Sequence, residues 1–307
     1  MESSIKVMTQ EEKDKCYIGE RKDGMKHGKG RLFDQSGNLV YDGQWLEDKK
    51  SGIGKLYVNV PLNISYDYKG EFKDDKRHGQ GQEFFPNGEL HYSGSWKRDK
   101  YDGNGQIYTQ EETKDGIIHA LAYEGGFKCG LRHGKGTAYD EHKDISYKGQ
   151  WKKGLYDGQG KYYLKSILMY NGSYKAGRRH GEGAEYYLNG VVKYAGDFKD
   201  NLYDGCGLLY YECDDLQQKL HYEGQWKEGL AHGKGKYYKR NHLDYDGDWF
   251  ADKRTGQGTM YDEEGVVYSG LWLNDMPDET MKRKKNIERE VVEAKAYIPS
   301  KRRKNTN

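Results

Sequence analysis

Five histidines recur at one relative position along the chain: His27, His78, His133, His180 and His232, each directly before a Gly-x-Gly triplet. In the intervening copies that position holds Ser51, Asp102, Asp157, Asp204 and Thr255. Alternating imidazole and carboxylate is the donor chemistry of a zinc site or of an acid–base pair, so spacing has to decide. If each copy is a hairpin in a sheet, equivalent positions lie two strands apart, about 9.6 Å, and successive histidines about 19 Å. Zinc holds its ligands at about 2.0–2.3 Å, so no metal site is expected. Both residue types are left to hydrogen-bond turn backbone locally. The recurring Gly-Lys-Gly (Gly28–Gly30, Gly134–Gly136, Gly233–Gly235) suggests a phosphate loop but fails on spacing. Gly130-Leu-Arg-His-Gly134-Lys135 has three residues between its glycines instead of four, and Gly136 stands where a hydroxyl residue is required. No complete Gly-x-Gly-x-x-Gly, His-Glu-x-x-His or Gly-x-Ser-x-Gly occurs, and Cys16, Cys129, Cys206 and Cys213 show no C-x-x-C spacing. No catalytic residue, no cofactor and no enzymatic activity are expected.

These residues hang on a repeat. A leading tyrosine recurs at Tyr17, Tyr41, Tyr68, Tyr92, Tyr123, Tyr147, Tyr170, Tyr194, Tyr222, Tyr245 and Tyr268, each with Gly two residues later. Two further on stands an aromatic residue in ten of the eleven copies, and all six tryptophans fall there; the first copy has Arg21 instead. Residues two apart share one face of a strand, so ring, glycine and ring line up. A turn slot follows, held by Gly24, Asp48, Asp75, Asp99, Gly130, Gly154, Gly177, Asn201, Gly229 and Asp252, types that tolerate left-handed backbone. The Gly-x-Gly strand returns, and three residues after its second glycine comes a later aromatic such as Tyr238. The unit reads as a β-hairpin in which rings lie across bare backbone, a known compensation for strand glycines. Strict alternation points the later aromatic away from the glycines. Either the strand bends there or that ring packs on the other face.

Composition alone would suggest disorder, with 34% hydrophobic and 33% charged residues and a mean hydropathy of −1.14. The periodicity overrides this, because 31 of the 42 glycines occupy the three repeat slots and rings supply the buried area. The expected fold is all-β: an elongated, twisted antiparallel single-sheet solenoid of stacked hairpins, roughly 100 Å long at about 4.8 Å per strand, with a C-terminal helix. Domain limits are a lead at 1–16, the repeats at 17–277, and a helix with basic tail at 278–307. Three longer gaps, around Val58–Tyr66, Thr109–Leu121 and Glu212–Leu220, read as surface loops on one side of the stack. No second strand is expected after Trp272. The opening residues lack a signal peptide's regions and no apolar run spans a membrane, which gives an intracellular, reduced setting.

The pattern resembles the MORN (membrane occupation and recognition nexus) repeat family over residues 17–272. That resemblance implies a non-enzymatic scaffold that grips extended or helical peptides in a groove, in the cytoplasm at a ciliary axoneme or other cytoskeletal assembly. It also implies homodimerisation near the C-terminal repeats. Some similar proteins carry a catalytic domain beside the repeats, but the roughly 16 residues before them and 35 after are too few for one. Trp96, Trp151, Tyr174 and Phe198, large rings in mid-stack, are the expected partner-binding groove residues. Lys22, Lys73, Lys97, Lys128, Lys152, Lys175, Lys199 and Lys227 follow the second aromatic slot and would form a row on the opposite face. Residues 279–307 hold ten Lys/Arg against four Asp/Glu, clustered at Lys282, Arg283, Lys284, Lys285 and at Lys301, Arg302, Arg303, Lys304. The second reading follows from that tail: a peripheral membrane tether for anionic lipid or phosphoinositide. Nucleic acid is not expected as a partner.

Overall fold

Period-2 placement of rings and glycines gives strands throughout. The computed structural model describes residues 16–60, 63–114, 116–212 and 219–278. They contain 22 strands and no helix, and each strand runs antiparallel to the neighbours it pairs with. The lead before Cys16, the expected C-terminal helix and both basic clusters (282–285 and 301–304) lie outside the described residues. Two compact units are distinguished: Met1–Leu168 with Tyr174–Gly177, and Met169–Ser173 with Arg178–Asn307.

One hairpin stands for the rest. Leu220–Lys227 pairs with Leu230–Lys239, setting Tyr222 opposite Tyr237, Gly224 opposite Gly235 and Lys227 opposite Leu230. The two linking residues, Glu228 and Gly229, have φ of 51° and 86°, the double left-handed backbone of a type I′ turn. All ten turn-slot residues have positive φ.

The two glycines of Gly-x-Gly do different work. The first carries the bulge: Gly52, at φ 68°, lies where the pairing of Lys49–Val60 with Leu39–Leu46 shifts register between Gly43 and Trp45. The bulge frees the N–H of the middle residue, and a side chain of the preceding strand accepts it. Ile53 N–H donates to Gln44 Oε1 (3.0 Å), Gln80 to Glu71 (2.7 Å), Lys234 to Gln225 (3.0 Å) and Gln257 to Asp248 (2.8 Å). The second glycine is the ring's floor.

The later aromatic packs on the face opposite the rings. Tyr237 faces Tyr245 across the ladder and Tyr238 faces Leu243, so the extra residue falls on the next strand and alternation holds in this one. Tyr238 then reaches Glu223 (3.4 Å), as Tyr139 reaches Glu124 (2.7 Å), both carboxylates lying one residue after a leading tyrosine.

Two of the long gaps are strands rather than loops. Lys49–Val60 pairs with Asn63–Lys73, and Lys100–Thr113 with Gly116–Lys128, so the hairpins simply run longer. The second arm is tied to its neighbour: His119 Nε2 lies 2.6 Å from the Leu90 carbonyl, and Gln110 donates to Asn87 and Glu89. Residues 213–218 of the third gap lie outside the described residues. A short strand, Met276–Pro277, follows Trp272 and pairs with Gly265–Leu273, correcting the expectation of none. Its formation gives Trp272 a second partner strand, beside Lys253–Asp262.

Candidate functional site

From Tyr17 to Tyr245, each leading ring lies flat on its own hairpin's glycine pair. A Cβ added to Gly54 would stand 2.3 Å from Tyr41 Oη, and one on Gly235 would stand 2.1 Å from Tyr222 Oη. The hydroxyl donates to the backbone three residues on, as Tyr41 does to Gln44 (3.0 Å) and Tyr194 to Asp197 (3.0 Å). Rings of adjacent hairpins meet edge to face. In the first unit Tyr68 touches Phe72 (5.1 Å) and Trp96 (5.2 Å), and Tyr123 touches Phe127 and Trp151. In the second, Tyr245 touches Trp249 (5.2 Å) and Trp272 (5.1 Å). Such pairs add about 0.5–1.5 kcal/mol each beyond buried area. Tryptophan adds a donor: Trp45, Trp96, Trp151, Trp226, Trp249 and Trp272 give their indole N–H to Gly30, Gly81, Gly136, Gly207, Gly235 and Gly258 carbonyls.

The four residues expected to line a groove sit inside this row. Trp96, Trp151 and Tyr174 of the first unit are 3%, 4% and 8% exposed, and Phe198 of the second is 2% exposed. They set the floor, and what faces outward above them is a second layer that sequence reasoning passed over. Two residues past the turn slot the chain reads Lys26, Lys50, Arg77, Tyr101, Arg132, Tyr156, Arg179, Tyr203, Ala231, Arg254. Each cation lies over a leading ring, from Lys50 at 5.4 Å above Tyr41 to Arg132 at 4.9 Å above Tyr123 and Arg254 at 5.7 Å above Tyr245. Tyr101, Tyr156 and Tyr203 stack in parallel on Tyr92, Tyr147 and Tyr194 at 3.7–3.8 Å. The signal was available: an Arg/Tyr alternation in register with the rings.

Two caps anchor polar clusters. Arg77 Nη1 meets Glu83 at 2.5 Å, while Tyr101 and His91 also bond that carboxylate. Burial disfavours the charged form of Glu83, but the hydrogen bonds from His91, Tyr101 and Arg77 outweigh it and hold its carboxyl at about 2. The second unit repeats the arrangement with Arg179, Tyr203 and Lys193 around Glu185. Burial pushes the hydroxyls of Tyr123, Tyr170 and Tyr245 up to about 12.

The opposite face is polar. The lysine row is exposed there. A cavity of about 650 Å³ in the first unit is floored by Gly125, Gly136 and Gly149 and edged by Glu124, Lys135 and Lys148. Its counterpart in the second unit, about 530 Å³, has Gly207, Gly224 and Gly235 with Glu223, Lys234 and Asp246. The Asp/His position divides by residue type. Asp102, Asp157 and Asp204 accept the turn N–H of the next hairpin, from Cys129, Ala176 and Glu228. Histidine does not follow: Nδ1 of His180 is buried without a hydrogen-bond partner, 3.9 Å from Asp200. No group of three or more His, Cys, Asp or Glu able to hold a metal occurs among the described residues.

The geometry is a repeated layer of capped rings over glycine backbone, and comparison with known proteins agrees with the repeat. A family model described as the MORN repeat matches ten segments: 17–39, 41–59, 68–89, 92–109, 123–140, 147–166, 170–192, 194–212, 222–243 and 245–267. MORN repeat-containing protein 3 of Xenopus laevis is 32% identical over 71 residues, which is 22% of this chain and 30% of that protein. The match thus spans under a third of that relative's length. Ten matched segments, each built on the ring-over-glycine hairpin, make this chain a member of the MORN repeat family, whose members generally mediate protein or membrane interactions.

Proposed function

We propose that this protein is a non-enzymatic scaffold that binds partner proteins along the ring face of its repeats, in a ciliary axoneme or other cytoskeletal assembly. The observation that supports this is the repetition itself. One set of contacts (ring on glycine, cap on ring, turn on preceding hairpin) recurs along the chain and offers periodic side chains to a linear partner. Trp96, Trp151 and Tyr174 in one unit, and Phe198 in the other, underlie that surface, with half-buried Arg77, Tyr101, Arg132 and Tyr156 facing outward in the first. The cytoskeletal setting is the one that the family resemblance implies.

The charge of the tail favours a second reading, an anionic-lipid tether acting through Lys282–Lys285 and Lys301–Lys304. Affinity capture from ciliated cells, with mass spectrometry, separates the two. A scaffold recovers axonemal or cytoskeletal proteins, keeps them when residues 279–307 are removed, and loses them on Arg132→Glu with the circular dichroism unchanged. Recovery of no protein, together with sedimentation on phosphatidylserine vesicles that falls with salt and with loss of the tail, would replace the scaffold by the tether.

A further inference from the structure

The cap series has one gap. From Tyr17 to Tyr245 each leading ring lies under a lysine, an arginine or a stacked tyrosine, except Tyr222, where the cap position is Ala231. A methyl group cannot fill the place of a guanidinium. What stands there is a cavity of about 470 Å³ lined by Tyr203, Tyr222, Trp226, Tyr237, Trp249 and Asp252, among others. We propose that this cavity is a socket for one arginine side chain of a partner polypeptide, an inference that rests on the protein-binding reading above.

The chain itself shows the guest. Arg254 lies 5.7 Å over Tyr245 and 4.6 Å over Trp272 while its Nε stands 3.4 Å from Asp275 in the following turn. Arg77 does the same with Tyr68, Trp96 and Asp99. At the gap every receiving group remains: Tyr222 and Trp249 edge to face at 5.4 Å, and Asp252 in the following turn. Asp252 accepts the Ala231 N–H at 2.6 Å, just as Asp275 accepts that of Arg254 at 2.9 Å, so the backbone frame is the same. Asp252 forms no ion pair among the described residues, whereas Asp99 and Asp275 each have an arginine. Ring faces and an exposed carboxylate select a cation, and the planar guanidinium meets both at once. The basic groups at the wall do not compete. Lys193 is directed to Glu185 at 3.3 Å, and His221 stacks on Tyr211 at 4.2 Å, where burial disfavours its charged form.

The test uses the full chain and the indole N–H signals of Trp226 and Trp249 in a nitrogen-15 spectrum, assigned with Trp226→Phe and Trp249→Phe. The probe is the capped pentapeptide Gly-Gly-Arg-Gly-Gly, with a second peptide carrying citrulline, the neutral isostere, in the central place. Both signals should shift saturably with the arginine peptide, at least about ten-fold more weakly with citrulline, and not at all in Ala231→Arg. That variant folds in a register already used by Arg77, Arg132, Arg179 and Arg254. Equal response to citrulline, persistence in Ala231→Arg, or no shift at ~20 mM peptide overturns the socket. So does a shift of either signal on removing residues 279–307 without peptide, which would make the chain's own tail the occupant. Signals that move with protein concentration would make it a second copy and overturn the proposal likewise. Failure of the socket leaves protein capture by the parent chain intact, whereas failure of the scaffold is the absence of captured proteins from that chain.

Discussion

Arg179 and Ala231 hold the same place two repeats apart in the second unit. Around Arg179 the rings of Tyr170 and Phe198 lie beneath a guanidinium at 5.6 and 5.3 Å, and Glu185, Lys193 and Tyr203 close a polar cluster beside it. Around Ala231 the rings of Tyr222 and Trp249 are just as regularly placed, the turn bond to Asp252 is made, and the space above is empty. The hairpin thus forms with or without its cap. Ring, glycine and turn specify the sheet; the cap layer is free to vary, and that is where one repeat can differ in function from the next.

The largest expected effect that tests this separation comes from filling the floor. Gly183→Ala pushes a Cβ toward Tyr170 Oη, 2.3 Å away, and Arg179 above prevents the ring from lifting. The cost should be about 3 kcal/mol, typical of a severe overpacking. Gly235→Ala collides slightly harder, at 2.1 Å from Tyr222 Oη, yet that ring has the cavity to tilt into, so it should cost about 1–2 kcal/mol. Urea unfolding followed by tryptophan fluorescence ranks them, and the reverse order would undo the comparison. Next comes Arg179→Ala, which should open a second cavity and leave Glu185 with Lys193 and Tyr203 alone, costing about 2 kcal/mol in the same assay.

A smaller effect belongs to the first-unit copy of that cluster. Glu83 titrates at about 2 when folded, below its ordinary 4.5, so its charged form stabilises the fold above that ordinary value. The contribution is lost as pH falls from about 4.5 toward 2. Glu83→Gln should therefore cost about 1 kcal/mol near neutrality, after solvent screening, and nothing near pH 2. Thermal melts at both pH values check it; a pH-independent difference would assign the effect to packing. The smallest change is a gain. Ala231→Arg should stabilise by about 0.5–1 kcal/mol through the cation–ring contact, and a loss in urea resistance would mean that the gap is not shaped for arginine.

Sequence made the ring row readable because glycine two residues from a ring has one sensible use in a strand, and ten copies repeat it. It did not separate the two glycines of Gly-x-Gly. Gly52 and Gly54 look alike on paper, but a two-residue register shift gives the first a φ of 68° and makes the second a floor for Tyr41. Strict alternation from Gly235 does set the side of Tyr238, because the extra residue there falls on the next strand. The arms at Lys49–Val60 and Gly116–Lys128 read as loops because Pro61 and a polar stretch interrupt the motif, whereas cross-strand pairing carried the ladder through. The cap layer escaped notice because arginine and tyrosine differ in charge. They share a flat group that covers a ring, Lys26 and Lys50 cover theirs with an ammonium, and the covering of the ring, not residue class, is what repeats. The expected groove residues Trp96, Trp151, Tyr174 and Phe198 were legible as large rings, but their depth was not, since the covering residues come from a position that carried no assigned role.

The turns have a consequence for how such a chain reaches its native form. Lys26 N–H finds Asp48, Lys50 finds Asp75 and Arg254 finds Asp275, while each indole reaches back to the hairpin before it. Every such partner lies within about one repeat of sequence, so little loop entropy is spent before a contact forms. A hairpin leaving the ribosome needs only its predecessor as a template, and the sheet can lengthen at the pace of translation, with no distant segment to wait for.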